Sequence, residues 1–187
     1  MSCFDDTPVE DLKACANRER SAGVSEVGIY YAIHEQIDLF PMPLNIGDAD
    51  FTYEKAVTVS EDITFLEGKG FGKIVAQVDT GEVKPSIVGN KGNKKTKVSF
   101  DFMIPGTSKQ ALGFMRVHKN TPMVFLVTGR DGQKYLVGDK NNPAYISESE
   151  GTTGKSGEDD NGIPFTIESY CIPIVYEGAI QLPVVIP

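Results

Sequence analysis

The sequence has few of the side chains on which metal sites and most active sites are built. Tryptophan is absent, and there are two histidines, His34 and His118, and three cysteines, Cys3, Cys15 and Cys171. Neither histidine belongs to an H-x-x-x-H or H-E-x-x-H pattern, and no C-x-x-C pair is present, so no zinc-ligand spacing can be identified. We interpret both histidines as ordinary surface or core residues. The odd cysteine count predicts reduced thiols rather than a disulfide framework.

Long apolar runs are also missing. No stretch approaches the ~18 apolar residues of a membrane span, and the N-terminal sequence MSCFDDTPVEDL lacks the apolar segment of a signal peptide. We therefore expect no membrane contact and synthesis in a cytoplasm. The 18 basic residues are outnumbered by 26 acidic ones, which gives a net charge of −8. This charge disfavours phosphate binding over the whole surface, but it suits a passage to which nucleic acid should not adhere.

Alternating apolar residues predict a fold built mainly from strands. The alternation is clearest over 27–34 and 98–104, and the segments 122–128 and 133–138 flank an Asp-Gly turn that is typical of a hairpin. Further strands are predicted over 51–59, 63–66, 73–78 and 163–174. The sequence therefore predicts a mainly β fold, a β-sandwich or small barrel with one flanking helix.

Two capping boxes mark the predicted helices. Thr7 with Glu10 begins a short N-terminal helix, and Thr107 with Gln110 precedes the main helix at 108–119. We predict that Ala111, Leu112, Met115 and His118 or Lys119 lie along one face of the main helix.

We expect a single domain over 1–187 with several polar excursions. An N-terminal arm is predicted over 1–25 and a C-terminal tail over 178–187. Segments 37–50, 79–97 and 147–162 are predicted loops, the last of them flexible. The composition of 147–162 cannot bury much apolar area, so this segment would be a mobile loop or one that a neighbouring molecule orders.

The glycine and serine patterns do not predict catalysis. The sequence GKGFG at 68–72 does not fit the G-x-x-x-x-G-K-[ST] pattern of a phosphate-binding loop, and a bent strand or bulge is the better interpretation. No G-x-S-x-G motif occurs. We therefore predict no catalytic residue, no cofactor and no metal, and we do not expect an enzyme.

Two charged clusters are candidate contact residues, either between subunits or with DNA in a channel. The cationic cluster consists of four lysines, Lys91, Lys94, Lys95 and Lys97. It could touch phosphate or an acidic partner, and a solvated loop is the simpler alternative. The acidic cluster is Glu158, Asp159 and Asp160, whose adjacent carboxylates do not follow the alternating spacing of a calcium loop. Exposed loop charge is its simpler interpretation.

Residues 98–180 carry, in order, a strand, a helix, the hairpin PMVFLVTGRDGQKYLVG, the loop TTGKSGEDDNG and the strand IPFTIESYCIPIVYEG. This order resembles tail tube proteins of tailed bacteriophages and the tail-completion and joining-ring proteins that share their fold. The amino-acid sequences of the hairpin and of SGEDDNG are most similar to those of virion proteins of phages that infect gut Bacteroidetes, including crAss-like phages. The first half of the chain matches in outline.

The resemblance implies a β-sandwich subunit of a virion tail or neck. Such subunits form homo-oligomeric rings, usually six-fold in a tube and sometimes twelve-fold near the portal, around a channel that passes DNA non-specifically. It also implies contacts with neighbouring virion rings and with portal or tail proteins. The segments 37–50, 79–97 and 147–162, the N-terminal segment and the tail after Gly178 would bridge subunits.

Two other functions stay open. A β-barrel module could bind a protein or single-stranded nucleic acid, with the four lysines guiding the strand and four aromatic residues stacking on bases. These aromatic residues are Tyr30, Tyr31, Phe65 and Phe71. The net charge argues against this reading. An enzyme whose residues meet only in space is the third reading.

Overall fold

The computed structural model describes residues 22–156 and 161–183. Strands account for 42% of the protein and helical turns for 8%, so the predicted mainly β fold with one flanking helix is confirmed. The predicted N-terminal helix and the acidic cluster Glu158–Asp160 lie outside the described residues. The first described strand begins at Val24, inside the segment 1–25 that is predicted as an N-terminal arm.

Twelve strands and one α-helix follow each other in the described residues. In chain order they are β1 Val24–Ile33, β2 Ile37–Leu39, β3 Thr58–Val59, β4 Thr64–Phe65, β5 Gly72–Ile74, β6 Glu82–Val88, β7 Lys95–Pro105, α1 Lys109–His118, β8 Met123–Gly129, β9 Lys134–Val137, β10 Tyr145–Glu148, β11 Gly162–Ser169 and β12 Ile174–Tyr176. A 3-10 turn, His34–Gln36, links β1 to β2.

The strands form a central sheet, an outer sheet and a small third sheet. The central sheet has the order β3-β12-β9-β8-β1-β5, and the outer sheet has the order β10-β11-β7-β6. Strands β2 and β4 form the small sheet. Neighbouring strands are antiparallel except β3 and β12, which run parallel. Two backbone bonds flank this pair, from Val175 N to Val57 O at 2.7 Å and from Glu177 N to Val59 O at 2.9 Å.

The central sheet is buried on both faces. On β8, Phe125 and Val127 belong to a core shared with the outer sheet, whereas Val124 and Leu126 belong to a second core on the opposite face. Successive side chains of a strand point to opposite faces, so these two cores must lie on either side of the sheet. The second core is covered by the segment 37–71. We call this segment the third layer.

Phenylalanine rings fill the space between the central and outer sheets. Phe102 packs against Phe100 and Phe165 with ring centroids 5.0 and 5.4 Å apart, and the Phe125 ring lies 6.0 Å from that of Phe100. Helix α1 closes one side of this core, where the Phe114 ring meets Phe165 edge-on at 5.6 Å. Aromatic pairs at these separations contribute beyond the apolar area that they bury.

Helix α1 begins one residue later than predicted. Its N-cap is Ser108, whose side chain accepts a hydrogen bond from Ala111 N at 3.1 Å, so the predicted capping box at Thr107 is wrong. The helix packs through Ala111, Phe114, Met115 and His118, a spacing of three and four residues. Leu112, predicted on this face, is half exposed. Phe114 takes the inward position because it meets the aromatic core.

The predicted hairpin at 122–138 is confirmed as β8 and β9. Asp131 accepts a hydrogen bond from Gln133 N at 3.0 Å, and Gly132 takes a φ of +85°, which a side chain would disfavour. The last predicted strand, 163–174, is divided. Its first part is β11, and β12 begins only at Ile174 and joins the central sheet rather than the outer one.

Two other segments differ from the prediction. Most of 51–59 is a pair of turns, with backbone bonds from Ala56 N to Thr52 O and from Val57 N to Glu54 O, and only Thr58–Val59 forms a strand. The predicted loop 79–97 is largely β6 and the start of β7. Its polar side chains lie on exposed strands. Such strands pair through backbone hydrogen bonds, so their sequence does not have to alternate between apolar and polar residues.

Part of the predicted loop 147–162 is also ordered by backbone pairing. Residues 147 and 148 belong to β10, and Thr152 and Gly162 form an isolated bridge. In the predicted tail, Ala179 N donates to Asp62 Oδ1 at 2.7 Å, and Gln181 O accepts from Phe71 N at 2.8 Å. The described part of the tail is therefore attached to the third layer.

Tyr176 joins the third layer to the tail and provides a test of this packing. Its buried hydroxyl accepts from Ile63 N at 3.0 Å and donates to Ala179 O at 2.9 Å. We expect Tyr176→Phe to lower the free energy of unfolding by about 1–3 kcal/mol, because a buried N–H loses its partner. Urea unfolding measures the change. Tyr145→Phe, at an exposed tyrosine, is the matched control and should leave stability unchanged.

Candidate functional site

The hairpin formed by β6 and β7 is the most exposed regular structure at a predicted site. The two strands pair from Glu82 opposite Asp101 to Val88 opposite Lys95, and residues 89–94 connect them. Gly89 has a φ of +102°, and a Cβ there would lie 2.5 Å from Asn93 O, so this turn requires glycine. The hairpin therefore has a defined shape. We call residues 86–97 the hairpin tip.

The hairpin tip has little packing of its own. Residues 89–96 are all exposed, and Ile87 is 69% exposed. Strand β6 is also an edge of the outer sheet, so its outer backbone groups have no neighbouring strand. An exposed apolar side chain on an unpaired edge is a typical feature of a surface that meets another chain.

The four predicted lysines fall into two groups. Lys97 Nζ lies 2.7 Å from Glu168 Oε1, and the hydrogen bond to this carboxylate raises the pKa of Lys97. Among the described residues, Lys91, Lys94 and Lys95 form no ion pair, and all three are exposed. Of the four lysines in the hairpin tip, three thus have no ion-pair partner among the described residues, and Lys97 is paired with Glu168 of β11.

The outer face of the outer sheet carries paired charges. Lys84 Nζ lies 2.9 Å from Glu82 and 3.0 Å from Asp101, and hydrogen bonds to these carboxylates raise the pKa of Lys84 to about 12. Thr166 Oγ1 donates to Asp101 Oδ1 at 2.8 Å. These exposed pairs contribute little stability. They leave the face without a dominant charge of either sign.

An aromatic residue that sequence reasoning missed lies beside the lysines. An open groove of about 650 Å³ is lined by Lys94, Lys95, Thr96, Asn142 and Tyr170. The Tyr170 side chain is 61% exposed. Tyr170 follows β11, whose pairing with β7 brings it next to the hairpin tip. Only this strand pairing connects it to lysines that lie more than seventy residues earlier in the sequence.

The aromatic residues predicted to stack on bases are placed elsewhere. Phe65 and Phe71 are buried in the second core, with their ring centroids 5.0 Å apart. Tyr31 packs edge-on against Phe114 at 5.1 Å, and Tyr30 packs partly buried against the second core. Burial in the second core leaves Phe65 and Phe71 no free ring face for stacking, whereas Tyr30 and Tyr31 are partly buried.

The histidines and the described cysteine are not arranged for catalysis. His34 Nε2 lies 3.0 Å from the carbonyl oxygen of Lys140. His118 is buried against Phe114 and Tyr31, at centroid distances of 4.7 and 5.6 Å, and burial lowers its pKa. Burial raises the pKa of the Cys171 thiol, which disfavours the reactive thiolate. Within the described residues, no group of three or more histidine, cysteine or carboxylate side chains could hold a metal ion.

Comparison of the chain with protein-family models, curated proteins and solved structures found no match. In the described part of the chain, no helix is both long and apolar enough to cross a membrane. The functional interpretation therefore rests on the surfaces of the folded chain.

His118 gives a pH-dependent prediction. Its folded pKa lies below the ordinary value of 6.5, so the unfolded chain binds a proton more readily. The contribution of neutral His118 to the free energy of unfolding is fully present above about pH 6.5, and it is lost as the pH falls through the folded pKa. We expect the free energy of unfolding to decline over this range, and less steeply in a His118→Phe variant. Urea unfolding at several pH values measures both slopes. Equal slopes would contradict the assignment.

Proposed function

We propose that the chain is a structural subunit of a bacteriophage virion, which forms a ring of the tail tube or of the head–tail joining region around the DNA channel. The observation that carries the proposal is an outer sheet in which β10 and β6, on opposite sides, have no further strand neighbour among the described residues. Contacts between two different edges of identical copies are head-to-tail, and such contacts close into rings when the rotation between copies allows it.

Both edges have features of a contact surface. Strand β6 ends in the hairpin tip with Ile87, and β10 begins with Tyr145, which is 44% exposed. The first half of β6 is less suited to strand pairing, because Glu82 and Lys84 are charged and Pro85 lacks an N–H. We therefore assign the contact mainly to the hairpin tip and its side chains.

The central sheet has a further open edge at β5. An open groove of about 280 Å³ lies between this edge and α1, lined in part by Lys73, Val75, Ile104 and Phe114. Val75 is 55% exposed, and Val27 on the adjoining strand is 50% exposed. Open edges on two sheets support a role in which neighbouring copies supply the missing contacts.

The charge pattern is compatible with a channel for DNA. On the outer face of the outer sheet Lys84 and Lys97 are paired with carboxylates, and the whole chain has a net charge of −8. A surface of this kind does not attract the phosphate backbone strongly, so DNA could pass without adhering.

A nucleic-acid-binding module is the second candidate. The exposed Tyr170 beside Lys94 and Lys95 combines a stacking surface with cations, which is how single strands are commonly held. The excess of acidic residues disfavours it.

The assembly itself tests the proposal. We expect the purified full-length chain to sediment as a multimer at high micromolar concentration and to form annuli in negative-stain images. A chain that stays monomeric throughout this range would overturn the proposal.

A pair of substitutions tests the contribution of the hairpin tip. Ile87→Asp removes an apolar side chain and places a negative charge on the exposed tip, whereas Val117→Asp makes the same kind of change at a similarly exposed position on α1, 67% against 69%. We expect the first to weaken self-association by about tenfold or more, or ~1.4 kcal/mol, and the second to leave it unchanged. Sedimentation velocity measures both. Equal association of the two variants would remove the tip from the interface.

A further inference from the structure

Charge is distributed unevenly along the folded chain. Residues 83–100 contain five lysines and no acidic residue, whereas residues 35–67 contain eight acidic residues and one lysine. The eight acidic residues are all exposed. They are Glu35, Asp38, Asp48, Asp50, Glu54, Glu61, Asp62 and Glu67.

The two charged segments lie on opposite sides of the central sheet. The lysines belong to the outer sheet, which covers one face of the central sheet through the first core. Seven of the acidic residues belong to the third layer, which covers the other face through the second core, and Glu35 lies in the 3-10 turn just before it. Because the central sheet separates them, a single copy cannot bring the two segments together.

The hairpin tip carries an apolar residue surrounded by positive charge. Ile87 is 69% exposed on β6, and Lys91, Lys94 and Lys95 follow it around the turn. We call these four residues the lysine patch. Among the described residues, none of its three lysines has an ion-pair partner.

The small sheet of the third layer carries the opposite combination. Leu39 and Leu66 are 51% and 49% exposed at the ends of β2 and β4, and Leu66 N bonds to Gln36 O at 3.0 Å. Glu35 and Glu67 each adjoin one of these two bonded residues in the chain, and Asp38 and Leu39 lie two and three residues beyond Gln36, on β2. We call Glu35, Asp38, Leu39, Leu66 and Glu67 the acidic patch. Within the described residues, its carboxylates form no ion pair.

We propose that the lysine patch of one copy docks on the acidic patch of a second copy of this chain. Each patch joins exposed aliphatic side chains to charges of one sign, and the signs are opposite, so the two surfaces are complementary. Two lysine patches or two acidic patches would repel each other, which excludes a symmetric contact of either patch with itself. This inference rests on the proposed self-assembly, and it places the hairpin tip of one copy on the third layer of the next copy rather than on its β10 edge.

Charge reversal tests the pairing. The lysine-reversed variant carries Lys91→Glu, Lys94→Glu and Lys95→Glu, and the acid-reversed variant carries Glu35→Lys, Asp38→Lys and Glu67→Lys. We expect each alone to self-associate at least about tenfold more weakly than the wild type, and an equimolar mixture of the two to assemble again. Sedimentation velocity and negative-stain images measure association. Wild-type association should also weaken with added salt, which screens these exposed charges.

A control variant has the same change in net charge at another surface. Lys109→Glu, Arg116→Glu and Lys119→Glu alter three exposed basic residues on or next to α1, and this variant should lose less association than the lysine-reversed one. If a reversed variant does not fold by circular dichroism, glutamine at the same positions should give a smaller loss in the same direction.

The outcomes separate the two proposals. A monomeric wild-type chain overturns both. Wild-type assembly together with unchanged assembly of the lysine-reversed variant overturns the docking alone, and so does failure of the folded reversed variants to assemble when mixed. Salt-sensitive binding of labelled oligothymidine that is lost in the lysine-reversed variant, with self-association unchanged, would assign the patch to nucleic acid and overturn the docking.

Discussion

The central sheet must be covered on both faces, and the rest of the fold depends on this requirement. Strand β8 is buried from Met123 to Val127, with apolar side chains on each side, so a single covering layer would leave half of them in water. The outer sheet and α1 cover one face, and the third layer covers the other. The short strands of the third layer, β2, β3 and β4, belong to the segment that holds Phe40, Phe65 and Phe71 over the sheet.

The coverage of both faces of the central sheet also determines which surfaces carry the charged residues. The layers on either side have one buried and one solvated surface, and their charged residues collect on the solvated one. On the outer sheet these charges form pairs such as Lys97 with Glu168. The hairpin tip extends past the end of β11, so among the described residues no neighbouring strand places carboxylates beside Lys91, Lys94 and Lys95. Free lysines at the tip and free carboxylates on the third layer are thus both products of the same layered arrangement.

Strong alternation made the inner parts of the fold predictable from sequence. Residues 98–104 and the Asp131-Gly132 hairpin were located correctly because buried strands and tight turns restrict residue type. The exposed strand β6 was missed, since Glu82, Lys84 and Ser86 carry no burial signal. Of the candidate site, the lysines were evident as a local cluster. Tyr170 was not, because only long-range pairing of β11 with β7 brings it to them.

Strand β12 has a consequence for how the protein is made. It lies between β9 and β3, so the third layer gains its strand connection to the central sheet through residues that follow all the other described strands in the chain. A nascent chain still lacking Ile174–Tyr176 exposes Leu136 and leaves β3 without its partner strand. Such long-range pairing folds slowly. A nascent chain would therefore complete the third layer only after the other described strands have emerged, so a surface that depends on this layer forms last.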